Sequence, residues 1–399
     1  MAPSEMGVYI HIPFCQVRCS YCDFNTYAGL DNLVDSYVAA LCDEIRGYPH
    51  RTPLPDGESA SPVRPQQEAS GQRRRASTIY LGGGTPSLLS TTNLEHILTS
   101  CRQSFAVDPG AEVTIEANPG TVSAESLRAT RAMGFNRLSL GVQSLDDAML
   151  HLLDRLHTAD QAIAAYVAAR QAGFDNISLD FIYGLPGQSL EHWQKTLDQA
   201  IALRPDHLSL YALTLEDHVP MARRVAAGAL SLPDEDSVAD MYTLAEEALQ
   251  RAGYIHYEIS NWATSPETAS RHNSLYWRRQ PYRGFGAGAH SFDGQQRFSN
   301  VLHPREYITR ISSGGSALSE SETITPDMAR SETMFLGLRL LLEGVTDEQF
   351  AAQHGRSLSV YAPQIDDLVR SGLLQWVDGR LLLTRRGRLL SNQAFVRFL

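Results

Sequence analysis

Val8-Tyr-Ile-His-Ile12 is an apolar, β-branched run that stops at Pro13, and Cys15-Gln-Val-Arg-Cys19-Ser-Tyr-Cys22 follows at once. The first run reads as a strand. The second puts three thiols with C-x3-C-x2-C spacing on the loop after it. Thiolates are soft ligands suited to an iron–sulfur cluster or to zinc. Four cysteines close every coordination position of a 4Fe–4S cluster. Three leave one iron open, where a substrate or cofactor can chelate. A structural zinc site wants a fourth ligand and commonly uses two cysteine pairs. No second pair occurs here, but a zinc protein without redox chemistry stays an open reading of the spacing alone. The other two cysteines, Cys42 and Cys101, fall on the apolar sides of predicted helices and read as core.

Outward from this loop, strands and helices alternate. Strands are predicted at Val8–Ile12, Thr78–Leu81, Glu112–Glu116, Arg137–Leu140, Asn176–Asp180 and His207–Tyr211. Helices are predicted at Asn32–Arg46, Thr92–Ser104, Ser123–Ala132, Ala159–Gln171, Leu190–Leu203 and Asp234–Gln250. Strand then helix, six times, implies right-handed crossovers and a parallel sheet. The expected fold is α/β, a partial, TIM-like (β/α)6 barrel over residues 1–253, since eight units make a closed one. Within it, 51–77 is rich in Pro, Ser, Gln, Gly and Arg and reads as a disordered insertion. Residues 254–320 are aromatic, glycine-rich and poorly periodic, a connecting segment. In 321–399, helices at Met328–Leu342, from the Thr346 cap, and at Val360–Ser371 precede a hairpin turning at Asp378-Gly379. That makes a C-terminal, winged-helix-like α+β domain.

Composition narrows the function. The 399 residues carry a net charge of −11. From Glu320 onward, 9 arginines face 10 acidic residues, so the winged-helix-like part is no basic reader and nucleic acid is not an expected partner. No apolar run is long enough for a membrane span, and Met1–Gly7 lacks the core of a signal peptide. A cytoplasmic location is expected. An odd number of cysteines, three of them clustered, points to metal rather than to disulfides.

Tyr9-Ile-His-Ile-Pro-Phe-Cys15 through Cys22-Asp-Phe24 resembles the radical SAM superfamily, and within it the branch holding oxygen-independent coproporphyrinogen III oxidase and the HemW-type heme chaperones. The resemblance implies a 4Fe–4S cluster on Cys15, Cys19 and Cys22 and S-adenosylmethionine (SAM) at the open iron. Gly82-Gly-Gly-Thr-Pro86 resembles the motif whose backbone carbonyls accept from the SAM ammonium. Polar residues end successive strands: Glu116, Gln143 and Asp180. By resemblance, Tyr9, Gly83, Gly84, Thr85, Glu116, Gln143, Arg155 and Asp180 take SAM-contacting positions. An electron donor to the cluster is implied as a partner.

Two features separate the branches. The oxidase pattern continues with a cysteine two positions after the triad, where this chain has Phe24. His272-Asn-Ser-Leu-Tyr276-Trp277 matches the HNxxYW motif of the chaperones. Imidazole is a usual axial ligand of heme iron, and Tyr276 and Trp277 offer flat apolar surface. The resemblance therefore implies a heme chaperone that passes heme to an apo-haemoprotein. The alternative is an enzyme of the radical SAM type, the decarboxylating coproporphyrinogen III oxidase. The plain alternative for His272 is a histidine satisfied by the backbone among core aromatics.

Overall fold

The structure, a computed structural model, describes residues 5–48 and 73–399. Six parallel strands run in chain order: β1 Met6–Ile12, β2 Arg75–Gly83, β3 Ala106–Ala117, β4 Arg137–Gln143, β5 Ile177–Tyr183 and β6 His207–Ala212. Five helices between them, α1 Val34–Gly47, α2 Thr91–Ser104, α3 Ala124–Ala132, α5 Ala159–Gln171 and α6 Leu190–Ala202, cover the outside, with the short α4 Asp147–Leu152 at the rim. Each predicted strand and crossover helix forms.

Every one of these strands alternates, and the polar side faces inward. On β3, Glu112, Thr114 and Glu116 line the interior, while Val113 and Ile115 pack beneath the helices. On β5 and β6 the inward set is Ser178, Asp180, His207, Ser209 and Tyr211. A fully packed barrel fills its interior with Val, Ile and Leu. Here the lumen is polar and partly open: Tyr211 is 43% exposed although it faces inward among Ser209, Asn261 and Asp180.

The sheet is larger than six strands. Residues 254–320, expected as a connecting segment, supply six more: β7 Ile255–Glu258, β8 Asn261–Ala263, β9 Tyr282–Phe285, β10 His290–Phe292, β11 Gln296–Asn300 and β12 Leu318–Thr323. The order is β12-β11-β10-β9-β1-β2-β3-β4-β5-β6-β8-β7. β9 pairs parallel with β1, so the parallel part has a seventh strand that arrives last in the sequence. These strands are short and irregular, which hid them from a periodicity reading. The end of the predicted insertion is also corrected. Arg75, Ala76 and Ser77 belong to β2, Arg75 pairs with Asp108 at 3.0 Å, and Arg73 donates to the Arg102 carbonyl at 2.8 Å. Residues 51–72 lie outside the described residues.

At the other end of the barrel, helix α9 (Arg271–Trp277) plugs the lumen; after the short α7 (Pro220–Ala226), α8 (Glu235–Arg251) packs against the C-terminal part. The latter holds α11 Pro326–Gly337, α12 Asp347–His354 and α13 Ala362–Arg370. A three-stranded sheet joins β13 Val345–Thr346, β14 Leu374–Val377 and β15 Arg380–Leu383. Its own core includes Met334, Phe350, Ile365 and Leu381. Glu246 on α8 ties it to the barrel, accepting from Arg385 at 2.7 Å and from Arg388.

Candidate functional site

β1 delivers the cysteine loop to the carboxyl edge of the sheet. Phe14–Cys15 then pairs with Tyr27–Ala28, which fixes both ends of the loop. Between them Cys22 N–H donates to the Cys19 carbonyl at 3.1 Å in a tight turn, and Asp154 accepts from Ser20 N–H at 3.2 Å. The loop approaches the end of β2 so closely that a side chain at position 84 would collide with backbone: a Cβ on Gly84 would meet the Phe14 carbonyl oxygen at 2.6 Å. Gly83 has φ +111° and would strike the His11 ring. Glycine at these two positions is thus a packing requirement.

The three thiols are partly exposed and none is in a disulfide. They lie near enough to one another that Cys22 and Cys19 raise the Cys15 thiol further, after burial, which is the larger cause. Cys42 and Cys101 are buried in α1 and α2, as read from the sequence. Among the described residues no three His, Cys, Asp or Glu side chains are placed to hold a single metal ion. Three soft thiols on one loop suit a 4Fe–4S cluster with one iron left open.

Around the thiols runs a circuit of side chains from the next strand ends. Thr85 Oγ1 donates to Cys15 Sγ at 3.6 Å and accepts from Asn118 Nδ2 at 3.0 Å. Arg155 donates to Asn118 Oδ1, to the Gly141 carbonyl at 2.8 Å and to Cys19 Sγ at 3.7 Å. The circuit borders a cleft also lined by Gln16, Val17 and Leu156. Arg155 Nε is buried there without a hydrogen-bond partner among the described residues, a cationic donor suited to an anionic group such as the carboxylate of SAM. Gln143 ends β4 at φ +65° and its amide packs over Gly141 beside Asn118 and Arg155. A non-glycine residue in that conformation costs energy and is a frequent mark of a ligand site.

One layer deeper lie Glu116 and Asp180. Glu116 accepts from Tyr80 OH at 2.6 Å and from Gly83 N–H at 3.0 Å, and Asp180 accepts from Ser139 and Ser178, each at 2.8 Å. Burial raises both carboxyls above their ordinary values, against those hydrogen bonds. Tyr9 stands below, its hydroxyl 3.0 Å from His11 Nδ1. The eight residues expected at SAM thus share one rim and the upper lumen. Sequence reasoning missed Asn118, Asp154 and His11. Asn118-Pro119 at the end of β3 carried a strand-end turn signal that marks it in retrospect.

The HNxxYW residues lie at the opposite end, on α9. His272 is only 1% exposed. Its Nδ1 is 2.7 Å from Thr78 Oγ1 and its Nε2 is 2.8 Å from Tyr276 OH. Burial lowers it to about 3, so the ring is neutral. Both nitrogens are engaged, and the ring stacks on Tyr80. Trp277 is covered by Arg339 of the C-terminal part, 4.2 Å above the ring. His272, expected as an axial ligand of heme iron, is held between Thr78 and Tyr276 in this structure. A ring buried this way reaches iron only by losing Thr78 or Tyr276.

Two family models match the chain: the radical SAM superfamily over residues 9–200 and the HemN C-terminal domain over residues 324–390. A Bacillus subtilis protein named heme chaperone HemW is 36% identical, covering 98% of this chain and 99% of its own. The Escherichia coli protein of that name is 34% identical, with 99% and 98% covered. The solved structure of E. coli coproporphyrinogen III oxidase (HemN), described as a radical SAM enzyme, superposes with a TM-score of 0.81. It shares 24% identity and covers 99% of this chain and 90% of its own. Cysteine loop, glycine turn and the first five parallel strands fall within the first model, so a 4Fe–4S cluster and SAM are its cofactors. The chain belongs to the radical SAM superfamily, in the family of the heme chaperone HemW.

Proposed function

We propose that this protein is a heme chaperone: it binds heme and a SAM-ligated 4Fe–4S cluster and transfers heme to apo-haemoproteins. The observation that carries the reading is similarity to proteins named heme chaperone HemW along nearly the whole of both chains. Phe24, 69% exposed where the oxidase branch carries a further cysteine, supports it.

In this reading Cys15, Cys19 and Cys22 hold the cluster. Arg155 and Gln143 orient SAM at the rim, with Thr85, Gly83 and Gly84 against its amino-acid end. Glu116, Asp180 and Tyr9 line the lumen below. When bound, the reduced cluster supplies an electron to the sulfonium of SAM. The chain's own part is to position and to exclude water. Gly83 and Gly84 let the backbone approach, and the Thr85–Asn118–Arg155 circuit holds the loop in register. An electron donor to the cluster and a cytoplasmic site of action belong to the proposal. No helix among the described residues is long and apolar enough to cross a membrane.

The test is anaerobic incubation of the reconstituted protein with coproporphyrinogen III, SAM and a reductant, followed by pigment analysis. No protoporphyrinogen should form. Its formation would make the protein the decarboxylating oxidase instead.

A further inference from the structure

On the outer flank of the molecule, between α1 and the strands that arrive last, lies a recess that takes no part in the site described above. It is bounded by β9, β11, the start of β12 and helix α10 (Pro304–Ser312). Tyr48, Arg283, Phe298, Asn300, Ile311 and Leu318 line it, and its volume is about 420 Å³ counting the open side.

The sheet register shows what is unusual here. Arg283 on β9 pairs with Val8, Val8 with Ile79, and Ile79 with Val113. Val8, Ile79 and Val113 are core residues beneath the helices, so an arginine occupies the fourth place in an apolar row. Its guanidinium lies 4.7 Å from the Phe298 ring and 5.5 Å from the rings of Tyr48 and Phe285. Ring faces attract the cation but leave its N–H donors, which lie in the guanidinium plane, without acceptors. Arg283 Nε is buried without a hydrogen-bond partner, and the guanidinium is in no ion pair, among the described residues. Glu44, the acid beside it, is already committed. Its oxygens accept from Gly286 N–H at 2.9 Å, Asn300 Nδ2 at 2.8 Å and Tyr307 OH at 2.6 Å. Burial pulls the guanidinium below its ordinary value; Glu44, Tyr48 and Asp293 oppose that and Arg74 adds to it. A buried cation with unmade hydrogen bonds is costly, and an anion entering the recess would remove that cost.

The walls select the anion. Phosphate is strongly hydrated and doubly charged, and would give up its water to Phe298, Ile311 and Leu318 with Glu44 close by. A carboxylate carries a single charge and meets the planar fork of Nε and one Nη with two parallel hydrogen bonds. An apolar body attached to it would lie against the apolar side chains of the opening.

We propose that the recess between α1, β9, β11 and α10 binds the carboxylate of a small apolar acid, held by Arg283. The site lies on the helix side of the sheet, across it from the lumen that faces the cluster and α9, and it stands independently of the heme reading.

The test titrates hexanoate into the reconstituted full-length protein by calorimetry at constant ionic strength, with hexan-1-ol and inorganic phosphate as controls. Hexanoate should bind once per chain and raise the Tm. Hexan-1-ol has the same chain without the charge, and it and phosphate should bind more weakly by about tenfold or more. Arg283→Met keeps an unbranched side chain among the three rings and should lose roughly ten- to a hundredfold in hexanoate affinity, with cluster iron content unchanged. Leu318→Trp, at the half-buried opening, should block the recess while Arg283 stays in place. Wild-type protein that gives neither heat nor a Tm shift with hexanoate would overturn the proposal. So would equal affinity for hexan-1-ol, or hexanoate binding undiminished in Arg283→Met.

Discussion

Glu116 shows how much one side chain at this rim is asked to do. It takes a hydroxyl and a backbone N–H while buried, so each bond is charge-assisted. Losing a hydrogen bond to a charged group costs about 1.5–3 kcal/mol, or roughly ten- to a hundredfold in affinity. Glu116→Ala should weaken SAM binding by that factor in calorimetry with iron content unchanged. Undiminished affinity would remove Glu116 from the site. His272 makes a different prediction. It is held neutral, down to about 3 from an ordinary 6.5. The unfolded chain takes up a proton there below 6.5 and the folded one does not. The stability it permits is complete above 6.5 and is lost as pH falls toward about 3. In His272→Gln, unfolding free energy should fall less steeply over that window, by about 1.4 kcal/mol per pH unit. Urea titrations at a series of pH values measure this. Parallel slopes for the two proteins would mean that the ring is not buried neutral.

Helix α9 is the element on which sequence and structure part most clearly. Its N-terminus is capped from across the barrel: Glu112 accepts from Arg271 N–H and His272 N–H, both at 2.9 Å. Glu112→Ala strands one buried and one partly buried donor and should lower stability by about 1.5–3 kcal/mol, read as a shift in denaturation midpoint. No change would mean that the helix is held by its apolar contacts alone. The HNxxYW pattern was legible as a motif, but its burial was not. That follows from β2 and β3, whose inward residues Thr78 and Glu112 lie 160 or more positions away. The cysteine loop was legible because all its ligands are local in sequence and its strand is strongly apolar. Glu116 and Asp180 were legible as rim residues because each ends a predicted strand. Asn118 and Asp154, which close the circuit around the thiols, were missed because their partners come from other strands. β9 was missed for the same reason: the four-residue run Tyr282–Phe285, between Pro281 and Gly286, has no periodicity, and only its pairing with β1 makes it a strand.

At the scale of the molecule, a polar lumen open at the cluster end and plugged by α9 at the other leaves one broad mouth. Cluster loop, SAM rim and Phe24 surround it. The C-terminal part grips the plugged end through Arg339 over Trp277 and Arg385 on Glu246. It stands far from the mouth, as a support for the barrel. The most direct measurement loads the anaerobically reconstituted protein with heme and mixes it with an apo-b-type cytochrome. The growth of the cytochrome's own absorption is then followed against free heme as the control. The account predicts transfer to the cytochrome and loss of heme from the donor, in a protein that does not turn over coproporphyrinogen III. Heme that stays bound, or that never binds, would contradict it.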